Sequence, residues 1–164
     1  MRAEPLAQEE EEAAEAASTF LAFDLGGQRL GVSVERVREI LDLQPMTRLP
    51  DAPHEVRGVI DVRGASVPIL DLGSRLGLDA AAAGPEARVI VFDLGEDGRP
   101  APVGVLADRV RDVRRIAPEA IEPPPGLAGG HGSATRGLAR GEDGLVALLD
   151  LDRLFPDRSA LRLP

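Results

Sequence analysis

From residue 19 onward the chain alternates short apolar runs with turn residues. Residues 20–25, 29–34, 59–62, 67–70, 89–94, 103–106 and 145–149 are rich in Val, Ile, Leu or Phe. Each is strand length and too short for a buried helix, which needs ten or more residues. Gly26-Gly27, Asp97-Gly98 and Asp143-Gly144 supply positive-φ turn residues beside these runs. The pattern predicts mainly antiparallel β-structure. Residues 72–76 and 151–155 follow strands and predict short helices.

The first 18 residues break the pattern. They hold Glu4, Glu9 to Glu12 and Glu15 against Arg2, so most of the net charge of −9 lies there. Like charges repel and little apolar surface offsets the ordering entropy, so residues 1–18 are expected to be a disordered acidic tail, dispensable for folding. Residues 157–164 are expected to form a second, C-terminal tail.

Within the β-region a repeat appears. Phe23-Asp24-Leu25-Gly26 recurs as Phe92-Asp93-Leu94-Gly95, and Val34-Glu35-Arg36-Val37-Arg38-Glu39-Ile40 is echoed by Ala107-Asp108-Arg109-Val110-Arg111-Asp112-Val113. Arg57-Gly58-Val59 answers to Arg136-Gly137-Leu138. Val67-Pro68-Ile69-Leu70-Asp71-Leu72 answers to Val146-Ala147-Leu148-Leu149-Asp150-Leu151. Four matches in the same order point to a duplicated unit of about 70 residues. Such a unit is too short to hold a large core alone. Two small β-barrels sharing a seam are expected, at roughly residues 19–85 and 86–156, with side chains filling each barrel and leaving no interior room for a ligand.

Composition narrows the function. Hydrophobic residues make up 43% but aromatics only 2%, so the core must be aliphatic. Every basic residue is Arg, and 19 of them face 28 acidic residues. An acidic chain has no positive field for phosphates, which argues against nucleic acid as a partner. No apolar run approaches the roughly 18 residues of a membrane span, and the N-terminus lacks the basic and apolar regions of a signal peptide. A cytoplasmic location without direct membrane insertion follows as an expectation.

No constellation predicts catalysis or a cofactor. His54 and His131 lie far apart with no Cys in the chain, which does not suit a metal site. The glycine-rich 126–132 stretch lacks the Gly-Lys-Ser/Thr of a phosphate loop, and no Ser sits in a Gly-x-Ser-x-Gly elbow.

The informative stretch runs from Gly58 to Leu72, GVIDVRGASVPILDL. Read as strand, turn and strand, period-two alternation puts Ile60 and Val62 on one face and Val59, Asp61 and Arg63 on the other. Arg63 then sits outward at a strand end beside a glycine. Taken alone, it could be an ordinary exposed Arg paired with Asp61 or another carboxylate, an arrangement that adds little stability.

This stretch resembles the hallmark of the CheW family: Gly, two apolar residues, Asn, an apolar residue, Arg-Gly, two residues, Val/Ile-Pro and an apolar-Asp-Leu strand. The similarity extends over roughly residues 19–156. Residues 20–25 look like the family's opening strand, Val37-Arg38-Glu39-Ile40 like its Val-x-Glu-Ile segment, residues 103–108 like its Gly-containing strand and 116–125 like its Pro-rich connector. Asp61 stands where the family carries Asn, and a carboxylate accepts hydrogen bonds without donating one.

The resemblance implies two five-stranded SH3-like barrels. It also implies a non-enzymatic adaptor that couples the cytoplasmic tips of chemoreceptors to the regulatory domain of a CheA-type histidine kinase. Carried over by position, Val37, Glu39, Gly58, Asp61, Arg63, Gly64 and Val110 become the partner-binding residues. An adaptor of a non-flagellar chemosensory pathway is the alternative within the same class, and a small-ligand-binding β-barrel is the alternative outside it.

Overall fold

A computed structural model describes residues 7–11, 18–96, 98–125 and 134–156. The glycine-rich stretch with His131, the tail 157–164 and most of the acidic tail lie outside them. Residues 7–11 are helical and exposed, a departure from the coil expected there. Their Ala, Gln and Glu side chains favour helix.

Ten strands follow in the order β1 (Thr19–Leu25), β2 (Gln28–Ser33), β3 (Val37–Leu41), β4 (Val56–Val62), β5 (Ala65–Leu70), β6 (Arg88–Asp93), β7 (Pro102–Ala107), β8 (Arg109–Arg115), β9 (Thr135–Gly141) and β10 (Gly144–Leu149). Two short helices close the halves: α1 (Leu72–Leu76) after β5 and α2 (Leu151–Leu154) after β10. Asp71 and Asp150 cap them by accepting hydrogen bonds from first-turn N–H groups, which offsets the unpaired donors of a helix start.

The strands form two five-stranded sheets, β8-β1-β2-β10-β9 and β3-β6-β7-β5-β4, each an SH3-like barrel, here barrel A and barrel B. Moving every strand five places along the chain converts one order into the other. Phe23 pairs with Val110 as Phe92 pairs with Val37. Gly31 faces Leu148 as Gly104 faces Ile69, so closely that a Cβ at either glycine would push the facing side chain aside. The duplication is therefore present in the fold.

The barrels do not divide the chain at residue 85. Barrel B is the contiguous run β3 to β7, and barrel A joins β1 and β2 to β8, β9 and β10. The division expected from the repeat is corrected accordingly. The chain passes from barrel A to barrel B through the short 3-10 turn Val34–Arg36 and returns through Asp108. Neither link turns back as a hairpin beside the strand just finished. Each crosses instead to the neighbouring sheet.

Three apolar clusters result. Ile60, Val67, Ile69, Val89, Val91 and Leu106 fill barrel B, with Leu41 and Val62 packed against them. Phe20, Ala139, Val146 and Leu148 form the smaller interior of barrel A. The largest cluster is the seam, where Phe23, Phe92 and Phe155 meet Leu and Val side chains from both barrels and both helices. Barrel A is not completely filled. A cavity of about 200 Å³ remains against Phe20, Ala22, Ala139 and Val146, contrary to the expectation of two filled interiors.

Asp24 ties β1 to both neighbours, accepting from Arg29 Nε at 3.3 Å and Arg111 Nε at 2.8 Å. Burial alone would raise its pKa, but the hydrogen bonds and positive charges of Arg111 and Arg29 outweigh it and hold the carboxyl below its ordinary value. At the equivalent site, the Asp93 carboxyl is also held low, first by the Ala101 N–H and then by the Gly95 N–H. A depressed folded pKa stabilises the native state above the unfolded value of about 3.9 and loses that contribution as pH falls through the folded value. Urea melts should therefore lose midpoint steadily from about pH 5 downward, and Asp24→Asn should flatten this acid limb. An unchanged acid limb in that variant would remove Asp24 from the account.

No described helix is long and apolar enough to cross a membrane.

Candidate docking site

The β4–β5 connection is a two-residue hairpin. Val62 and Ala65 pair across it, and the residues between them, Arg63 and Gly64, have φ of 51° and 86°. Two positive φ values in succession make a type I′ turn, whose backbone twist matches that of the flanking strands and which favours Asn-Gly or Gly-Gly. Gly64 meets this demand without strain, and an added Cβ there would touch nothing. It is glycine for its backbone, not for space. Arg63 meets the demand against its own steric preference.

Asp61 Oδ1 accepts from the Gly64 N–H at 2.8 Å, closing the turn. Only an acceptor is used, which an Asn side chain also offers. That explains why Asp can stand at the family's Asn position. Asp61→Asn should change stability by less than about 0.5 kcal/mol, whereas Asp61→Ala leaves the N–H without its partner and should cost about 1 kcal/mol in urea denaturation. Arg63→Gly removes the backbone strain and an exposed pair together, so its melting temperature should match or exceed the parent's. A clear drop would show that the Arg63 side chain supports folding.

The Arg63 guanidinium forks onto Glu39, donating from Nη1 to Oε1 at 3.0 Å and from Nη2 to Oε2. This pair ties the hairpin to the opposite edge strand of barrel B. Hydrogen bonding from Arg63, backed by the charges of Arg63 and Arg38, holds the Glu39 carboxyl below its ordinary value despite some desolvation. The Glu39 side chain is only 26% exposed, but that of Arg63 is 71% exposed. Arg63 is thus oriented by Glu39 and still open to a partner. Of the carboxylates considered from sequence, Asp61 or another, its partner within the chain is Glu39.

The sequence candidates separate into three groups. Glu39, Asp61, Arg63 and Gly64 come together at the hairpin. Val37 and Val110 lie at equivalent positions on β3 and β8, half-buried and packed against the seam, so they do not join that group. Gly58 is buried where Met46 and the Thr47 carbonyl cross β4, and a Cβ would come within 2.5 Å of Met46 Cγ. Its equivalent Gly137 lies under Ile121 and the Glu122 carbonyl in the same way. Close packing accounts for this glycine in both halves.

Sequence reasoning passes over Ile40, Leu43, Met46 and Leu49, exposed apolar side chains on β3 and the connector to β4. Their recurrence at every third position from 40 to 49 is the signal that could have found them.

A profile described as the CheW-like domain matches residues 19–159. The chain belongs to this family. The CheW-like domain thus covers both barrels and both helices. The chain is 37% identical over 138 residues to the chemotaxis protein CheW of Rhizobium meliloti (strain 1021), covering 84% of this chain and 86% of that protein. It is 36% identical over 140 residues to protein FrzA of Myxococcus xanthus, covering 83% and 84%. In structure it matches the scaffolding protein TtCheW from Thermoanaerobacter tengcongensis with a TM-score of 0.73 at 26% identity, covering 90% of this chain and 98% of that one. The CheW-like fold, two five-stranded sheets with short helices, and a place in a chemotaxis scaffold family follow directly.

Proposed function

We propose that this protein is a non-enzymatic cytoplasmic coupling element, holding the cytoplasmic tips of chemoreceptors and the regulatory domain of a CheA-type histidine kinase in one complex. The observation that carries this reading is Arg63. A non-glycine residue is kept at a positive-φ turn position where glycine is easier, and its guanidinium is aimed outward by Glu39. A strained backbone position that carries an exposed and oriented guanidinium supports a functional use of that side chain.

Arg63, Glu39, Asp61 and Gly64 form the polar part of the docking surface, with exposed apolar side chains such as Ile40 and Met46 on the same barrel. Val37, Gly58 and Val110 act from beneath, by fixing the strands and the seam. A small apolar area with a charged rim gives the moderate, exchangeable contacts that a signalling array needs.

The test is reconstitution. The full chain is mixed with a purified kinase regulatory domain, with a receptor-tip fragment, and with both, and each mixture is resolved by size-exclusion chromatography. Co-elution with each partner, and a larger complex with both, is expected. Failure to retain either partner would refute the coupling role.

A further inference from the structure

The two barrels are built from equivalent strands but are not equally filled. Leu41, Ile60, Val62 and Val91 close the interior of barrel B. The repeat places Arg114, Ala139, Gly141 and Ala22 at the corresponding positions of barrel A. Three large aliphatic side chains are thus replaced by small ones and a fourth by a guanidinium. Two enlargements, Phe20 for Val89 and, for Leu41, Arg114, whose guanidinium lies over Gly141, still leave space unfilled. The remaining cavity of about 200 Å³ has a floor of buried apolar side chains and a mouth bordered by Arg114, Arg115 and Arg140.

The pocket opens to solvent on one side, whereas the same chain fills the equivalent space in barrel B. At about 200 Å³ it has room for a benzene-sized hydrocarbon. Its mouth adds a charge preference. The chain is acidic overall, but β8 carries Arg109, Arg111, Arg114 and Arg115 against Asp112 alone. Asp112 holds Arg114 at 3.0 Å and Glu122 holds Arg140 at 2.7 Å. Each guanidinium has five N–H donors, so both can bind a further carboxylate while keeping these partners.

We propose that barrel A binds a small apolar carboxylate, its branched or aromatic hydrocarbon lying against Phe20, Ala22, Ala139 and Val146 and its carboxylate on Arg114 and Arg140. The site lies in the barrel opposite to Arg63 and is independent of the coupling role.

Phenylacetate and 4-methylpentanoate are suitable probes, with phenylacetamide as the neutral control, titrated into the full chain and followed by amide NMR shifts and melting temperature. Both acids should shift the resonances of Ala22, Gly31 and Ala139 and raise the melting temperature, with the amide weaker by about fivefold or more. Ala139→Ile, which installs the residue found at the equivalent position of barrel B, should abolish binding while matching or raising the melting temperature. If that variant does not fold, Ala22→Val narrows the same space. Arg114→Leu should keep hydrocarbon binding and lose the preference for acid over amide. The proposal is overturned by an absence of shifts at these residues up to about 10 mM acid, by unchanged affinity in the cavity-filling variant, or by equal binding of acid and amide.

Discussion

Arg63→Glu is expected to lower affinity for at least one of the two partners by on the order of a hundredfold, with the melting temperature nearly unchanged. The turn itself is set by Gly64 and the Asp61 carboxylate, and Ile60 and Val62 point the other way into barrel B, so the fold has little stake in the Arg63 side chain. At an interface the same change removes a charge-assisted hydrogen bond and places a second negative charge beside Glu39, whose carboxyl is already ionised. Exchanging both charges, Arg63→Glu with Glu39→Arg, rebuilds the ion pair within the barrel but presents the wrong charge to a partner. If affinity returns in the exchanged protein, the pair serves only to hold the hairpin. If it stays low, the partner reads Arg63 itself. Measuring the kinase regulatory domain and the receptor tip separately assigns the hairpin to one face, and unchanged affinity for both defeats the docking role.

Phe92→Ala should destabilise the whole molecule by about 3–5 kcal/mol, a large share of the 5–15 kcal/mol typical of a domain. Phe92 is fully buried in the seam, as is Phe23 at the equivalent position, so Phe23→Ala should cost a similar amount. Because the seam draws side chains from both barrels and both helices, the loss should appear as one cooperative transition at lower temperature. Calorimetry resolving two separate transitions, with only barrel B weakened by Phe92→Ala, would show that the barrels are independent and the seam is a mere contact.

The strands legible in the sequence are those rich in Val, Ile, Leu or Phe, and both short helices are legible from the Asp-Leu that follows a strand. β3, β8 and β9 are not. Each is an edge strand, and edges carry charge and glycine to discourage pairing with other chains. β8, with Arg109, Arg111, Asp112, Arg114 and Arg115, shows no apolar alternation to read. The repeat reveals the duplication but not its assignment to barrels, because similarity between halves says nothing about which copy of a strand pairs with which. At the docking site, the Arg-Gly signature and Asp61 are visible as residues. The grip of Glu39 on Arg63 is not, since it joins positions 24 apart across two strand edges.

The layout of the barrels bears on the order in which they can be made. Barrel B, residues 37–107, is complete before the ribosome has produced β8. The first two strands of barrel A can pair with each other, but their outer neighbours β8 and β10 emerge only later. At about 5–20 residues per second that delay lasts several seconds, during which Phe20 lacks its core neighbours Ala139, Val146 and Leu148. The first strands to be synthesised are thus among the last to have both of their neighbours, and the early vulnerability of the nascent protein lies there.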